Sequence, residues 1–106
     1  MTKAAVVISV ISPERAELLQ SKLPFSSIKQ GNVIIQSKLE AGLPLNDHLV
    51  WLWGMLQNER RLLKRIEEEE SKIICQCQVG RGAVIIKPNG AEMLHLLNME
   101  LMLEIK

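Results

Sequence analysis

Residues Asn46–Glu70 read NDHLVWLWGMLQNERRLLKRIEEEE and decide the fold, because they predict one long amphipathic helix. Its aliphatic residues recur mostly at spacings of three and four, which places them on one stripe of the helix surface. The stripe, extended back by one residue before the helix, comprises Leu45, Leu49, Leu52, Leu56, Leu63 and Ile66. We expect this stripe to pack on a sheet built from the rest of the chain, with Asn46 as the helix N-cap.

The same helix carries large apolar side chains outside its core stripe. Trp51 and Met55 lie on one shoulder, and Trp53 lies on the other, about 200° from Trp51 around the helix axis. In one interpretation neighbouring helices of the same chain cover both shoulders. In the other, a shoulder binds a partner protein or a second copy, because Trp and Met are enriched in interface cores. Arg60 and Lys64 lie near Trp53 and would form the rim of that surface.

The other segments predict strands and shorter helices around the long helix. Strands are expected over Ala4–Ile11, Asn32–Lys38, Lys72–Val79, Ala83–Lys87 and Met99–Ile105, and helices over Pro13–Lys22 and from Pro88 to about Asn98. The order is β-α-β-α-β-β-α-β. It predicts a single α+β domain over residues 1–106, a two-layer sandwich with a mixed four- to five-stranded sheet and about three helices on one face.

Three of the strands carry more specific expectations. Ala4–Ile11 is almost continuously apolar, which is typical of a central strand covered on both faces. Lys72–Val79 and Ala83–Lys87 flank the turn Gly80–Gly82, so these two strands should form a hairpin. Met99–Ile105 alternates between apolar and polar residues, which predicts a last strand with one face turned inward and the other in water.

Charge and hydropathy exclude several classes of partner. Thirteen Lys and Arg face twelve Asp and Glu, and a net charge of +1 creates no field that would attract nucleic acid or anionic lipid. No apolar run approaches the ~18–20 residues of a membrane span. The four basic residues within 60–65 precede four glutamates at 67–70, which favours a solvated, self-neutralising face over a phosphate site. We therefore expect a cytoplasmic protein without a nucleic-acid or membrane partner.

The two cysteines are the first candidates for chemistry. Cys75 and Cys77 lie two apart in a predicted strand and so share one face, where a bond between them would be strained. Together with His48 and His95 they would supply four zinc ligands, but the spacing matches no common structural zinc pattern. Buried free thiols in a reducing compartment are the favoured interpretation.

Motifs for catalysis are weak. Glu92 and His95 form a single E-x-x-H, whereas a di-iron bundle needs two such motifs and two further carboxylates. The sequence contains no nucleophile elbow, phosphate-binding loop or dinucleotide-binding glycine pattern. We therefore assign no catalytic, metal-binding or cofactor-binding residue, and the sequence favours a protein that is not an enzyme.

A series of packing motifs runs through the chain. Leu49–Leu52 opens the long helix, Cys75 lies in an apolar strand before a glycine-containing turn, Lys87-Pro88 precedes a helix, and Leu96–Ile105 closes the series. In these features the chain, from about Ser12 onward, resembles a family of small bacterial proteins that share a domain of unknown function. The resemblance implies an α+β fold without an assigned activity. Some members resemble immunity or accessory proteins carried on mobile DNA, and no functional residue transfers from them.

Two functions remain from the sequence. The first is a non-catalytic protein-binding or accessory module, with immunity-type and homodimeric forms, that makes contact through Trp51, Trp53 and Met55 with Arg60 and Lys64 at the rim. The alternative is a small-ligand-binding protein or enzyme with a pocket between the long helix and the sheet. A deep pocket with convergent polar groups would favour the alternative, and a flat apolar patch would favour the first function.

Overall fold

A computed structural model of the chain describes residues 2–9, 12–69 and 72–106. The strands within them are β1 (Lys3–Ser9), β2 (Ser26–Lys29), β3 (Asn32–Gln36), β4 (Lys72–Val79) and β5 (Glu100–Ile105). The helices are α1 (Pro13–Lys22), α2 (Leu45–Leu56), α3 (Arg60–Glu68) and α4 (Pro88–Leu96), and a 3₁₀ turn over Gln57–Glu59 joins α2 to α3.

The strands form one mixed sheet in the order β2-β3-β1-β4-β5. The central strand β1 pairs antiparallel with β3 and β4, whereas β5 runs parallel to β4 after a crossover through α4. The register places Val6 between Ile35 and Cys75, and all three are fully buried on the helix side. The predicted two-layer α+β sandwich with a mixed sheet is confirmed.

The central strand is covered on one face only. Val6 and Ile8 lie under the helices, but Ala5 and Val7 on the opposite face are half-buried. The prediction that this strand is covered on both faces is therefore wrong for its described part, and Val10–Ile11, its predicted end, lies outside the described residues. The outer face tolerates apolar residues because side chains of neighbouring strands, such as Ile34 beside Val7, shield one another laterally.

The long helix is interrupted, and its start differs from the prediction. Pro44 is the N-cap of α2 rather than Asn46. The helix changes to a 3₁₀ turn after Leu56, where the stripe lacks a core residue until Leu63, and both leucines are fully buried. The α3 helix ends at Glu68, and the predicted end at residue 70 lies outside the described residues.

The hairpin occurs at a different place from the predicted one. Residues 83–87 do not form a strand. Instead β2 and β3 pair around Gln30 and Gly31, whose φ values of 52° and 80° fit a two-residue turn with both central residues left-handed. The missed strand β2 has the sequence SSIK, and its serines and terminal lysine give little strand propensity.

The last strand is more exposed than the alternation predicts. Its register sets Leu101 beside Cys75 and Leu103 beside Cys77, so the odd-numbered residues lie on the helix side as expected. Nevertheless Leu103 is 40% exposed and Ile105 is 63% exposed. The helical layer therefore leaves the outer half of β5 uncovered.

Candidate functional site

Trp53 belongs to the core. It is 7% exposed, and it lies seven residues after Asn46, on the same side of α2. Asn46 contacts the start of α4, so α4 packs along this side of α2. Another helix of the same chain thus covers this shoulder, as the first of the two interpretations expected. Trp53 is therefore not part of a surface that a partner could contact.

Asn46 joins α2 to α4 through a buried polar contact. Its Oδ1 accepts a hydrogen bond from the backbone N–H of Lys87 at 2.8 Å, and its Nδ2 donates to Oδ1 of Asn89 at 3.0 Å. A Cβ atom on Gly90 would overlap Oδ1 of Asn46 and lie 2.9 Å from its Cγ. The two helices therefore approach so closely that Gly90 has no room for a side chain.

Trp51 remains at the surface and contacts an aromatic residue that the sequence interpretation did not single out. The rings of Trp51 and Phe25 have centroids 5.9 Å apart and are tilted by 38°, within the range of favourable aromatic pairs. Phe25 is 62% exposed, and Trp51 and Met55 are half-buried. Since Met55 lies one helical turn after Trp51, these three residues form a continuous surface, which we term the aromatic patch.

The backbone of Phe25 is held in an unusual conformation. Its φ of 59° is left-handed, which is rare for a bulky residue with a Cβ atom. The surrounding turn fixes it, because Ser26 Oγ donates to the carbonyl of Leu23 at 2.7 Å directly after α1. The chain thus keeps its single phenylalanine both exposed and strained, a combination that is concentrated at binding sites.

Arg60 and Lys64, the predicted rim, are exposed and lie one turn apart on α3. Arg60 Nη1 donates to the carbonyl of Gln57 at 2.9 Å, so this guanidinium supports the 3₁₀ turn that joins the helices. The structure brings Trp51 to Phe25 and keeps the two basic residues on a different helix. The residues that the sequence grouped into one surface are therefore divided among the core, the aromatic patch and α3.

The two cysteines are buried free thiols, as predicted. Their Sγ atoms lie 3.6 Å apart on the helix side of β4, and neither residue is more than 3% exposed. The hydrogen bond with Cys77 raises the pKa of the Cys75 thiol far above its ordinary value, and burial raises it further. A thiolate is therefore disfavoured at Cys75, which argues against a role as nucleophile.

Thiol titration should confirm this protection. The folded protein is expected to react with an aromatic disulfide reagent at a small fraction of the rate of free cysteine, because both sulfur atoms lie in the core. After unfolding in guanidinium, both cysteines of the chain should react rapidly. Rapid release of the reagent's aromatic thiolate by the folded protein, measured by absorbance, would contradict the burial of the two thiols.

His48 lies in a second buried polar contact. It is 1% exposed, and its Nδ1 is 2.7 Å from Ser37 Oγ, which also accepts the backbone N–H of Leu39. Among the described residues, Nε2 of His48 has no hydrogen-bond partner. A catalytic serine–histidine pair needs an acid on the second ring nitrogen and access for substrate. His48 has neither, so this pair connects the β3–α2 loop to α2.

Two of the surface cavities among the described residues lie near α2 or near His95. The cavity nearest the start of α2 has a volume of about 340 Å³ and is lined by Thr2, Arg81 and mainly apolar residues, without His48. His95 and Glu92 line a separate shallow depression on α4. Among the described residues, no three His, Cys, Asp or Glu side chains lie close enough to hold a metal ion.

Two further findings concern the class of protein. Within the described residues, none of the helices combines the length and apolarity needed to cross a bilayer. No protein-family model, curated protein or solved structure matches the chain.

Proposed function

We propose that the protein is a non-catalytic protein-binding module and that a partner protein docks on the aromatic patch. The observation that carries the proposal is Phe25, which is 62% exposed, left-handed in its backbone and in contact with Trp51. A phenylalanine that serves only the core would be buried. A phenylalanine fixed at the surface presents a ready anchor for a hydrophobic pocket on another protein.

The energetics of such a contact favour a protein partner. Phe25 is 62% exposed. Of the roughly 150–250 Å² that an aromatic side chain can bury, a partner could therefore cover about 90–155 Å², which at about 25 cal/mol per Å² corresponds to about 2–4 kcal/mol. Because the turn around Ser26 and the ring of Trp51 already hold Phe25 in place, little conformational entropy remains to be lost on binding. Met55 adds a flexible side chain that adapts to the shape of the partner.

The charge of the chain fits the same proposal. A net charge of +1 supplies little attraction for a polyanion, so an apolar patch rather than a field would select the partner. Arg60 and Lys64 are exposed on α3 and would form polar contacts at the periphery. Some members of the family that the chain resembles look like accessory or immunity-type proteins, and a protein of that kind would act in this way, by covering the surface of another protein.

A photo-crosslinking amino acid at position 25 should capture the partner in cells, whereas the same group at position 85 should not. Ile85 is a matched control because it is 68% exposed and lies in the 83–87 segment outside the patch. With the purified partner, Phe25→Ala should weaken binding by about 30-fold or more, and Ile85→Ala by less than about threefold.

The comparison between positions 25 and 85 decides whether the proposal holds. Equal crosslinking at positions 25 and 85 would overturn the proposal, as would an affinity that Phe25→Ala leaves unchanged. Circular dichroism of both variants is the control for folding. We expect the spectra to match that of the parent protein, because both side chains are largely exposed.

A further inference from the structure

Among the described residues, β5 forms one edge of the sheet, and three of its backbone positions face outward without a partner strand. The N–H of Lys106 donates to the carbonyl of Val79 at 2.9 Å, so the even-numbered residues of this segment point their backbone groups toward β4. Successive residues of a strand alternate in direction, and the N–H and C=O groups of Leu101, Leu103 and Ile105 therefore point away from the sheet. Such a row is a template for a further strand.

The two edges of the sheet differ in how they discourage pairing. The β2 edge has four residues, SSIK, and ends in a lysine, so it is short and polar. The β5 edge has six residues, ELMLEI, without a proline or a lysine inside the strand. Its side chains Met102, Leu103 and Ile105 are 53%, 40% and 63% exposed. Natural proteins protect free edges with short strands, proline or charged residues, above all lysine. The β5 strand carries two glutamates but neither lysine nor proline.

We propose that β5 pairs with β5 of a second copy of this chain, antiparallel and around a twofold axis at Leu103. In this register Leu103 lies opposite Leu103 of the second copy, and Leu101 lies opposite Ile105. All of these residues have outward backbone groups, so about six hydrogen bonds would form between the copies. On the other face of the sheet, Glu100 lies opposite Lys106 of the second copy, which makes an ion pair at each end of the interface.

The charges of the strand favour this register over the two adjacent ones, and they favour a second copy as the occupant. A shift of the twofold axis to residue 102 places Glu100 opposite Glu104, and a shift to residue 104 places two copies of Glu104 opposite each other. Like charges directly opposite each other are destabilising. The register centred on Leu103 instead pairs Glu100 with Lys106, so the segment is complementary to itself in charge, in side-chain face and in backbone direction.

The pairing would build one ten-stranded sheet with all helices on the same side. The exposed apolar residues of β5 would continue the helix-side layer across the twofold axis, as expected for an isologous interface. Phe25 lies directly before β2, at the opposite edge of the sheet, and stays free. The inference therefore goes beyond the proposed function and does not depend on it.

The oligomeric state tests the inference. In sedimentation equilibrium at about 100 μM, the parent protein should have twice the chain mass of 12.0 kDa, about 24 kDa. Leu103→Lys should give the monomer mass, since it places two like charges on the twofold axis. Ile28→Lys is the matched control, because Ile28 is 39% exposed on the helix side of the β2 edge, and it should leave the dimer intact.

Charge exchange tests the register. Glu100→Lys alone and Lys106→Glu alone each create two like-charge pairs and should raise the dimer dissociation constant by about tenfold. The double variant restores both ion pairs in reversed order and should recover the parent constant. A monomeric parent protein, a dimer that survives Leu103→Lys, equal effects of Leu103→Lys and Ile28→Lys, or a double variant as weak as the single ones would each overturn the inference.

Discussion

Replacing Trp53 with alanine should lower the free energy of unfolding by about 3–5 kcal/mol. The side chain is 7% exposed, so its removal takes a large aromatic ring out of the core between α2 and its neighbours. Packed surroundings relax only partly around such a cavity, and the lost contacts are not replaced. Chemical unfolding followed by circular dichroism measures the effect as a shift of the transition midpoint.

The matched control is Trp51→Ala on the same helix. Trp51 is half-buried and lies in the aromatic patch, so its removal should cost no more than about half as much. Because small domains are stable by about 5–15 kcal/mol, both values are measurable. A loss below about 1 kcal/mol for Trp53→Ala would contradict its place in the core and return it to the candidate contact surface.

The elements that sequence reasoning located correctly are those with strong local signals. Ser12 and Pro13 mark the start of α1, where Ser12 Oγ accepts the N–H of Arg15 as an N-cap does. The alternation of Lys72–Val79 gives β4 at the predicted bounds. Both signals act within a few residues, so the rest of the chain does not alter them.

The failures arise where distant parts of the chain decide the structure. Asn46 is a good N-cap residue, but its side chain bonds to the start of α4, more than forty residues away. Whether Trp53 or Trp51 faces solvent depends on where α4 packs. The periodicity of a single helix does not predict the position of another helix. The exposed Phe25 depends on a left-handed turn between α1 and β2, and its only local signal is the preceding Pro24. Of the three residues of the aromatic patch, sequence reasoning named Trp51 and Met55 and missed Phe25.

The second large effect is expected at Gly90, where alanine should destabilise the protein by about 2 kcal/mol. Alanine within a helix is normally better than glycine by about 0.5–1 kcal/mol. A Cβ atom on Gly54, inside α2, would meet no atom within 4 Å other than its chain neighbours and the backbone of its own helix, so Gly54→Ala should raise stability by that amount. The same substitution at two helical glycines is therefore expected to act in opposite directions, and chemical unfolding of both variants would measure the difference.

The cause of the loss at Gly90 is specific to Asn46. The new methyl group would overlap the Oδ1 atom that accepts the N–H of Lys87, so Asn46 has to move and both of its hydrogen bonds break. Asn46→Ala alone removes those bonds and should cost about 1–3 kcal/mol. In the double variant the overlap no longer exists, and Gly90→Ala should then add little further loss. Strictly additive losses in this double-mutant cycle would show that Asn46 and Gly90 are not energetically coupled, and would contradict a steric overlap between them as the cause of the loss.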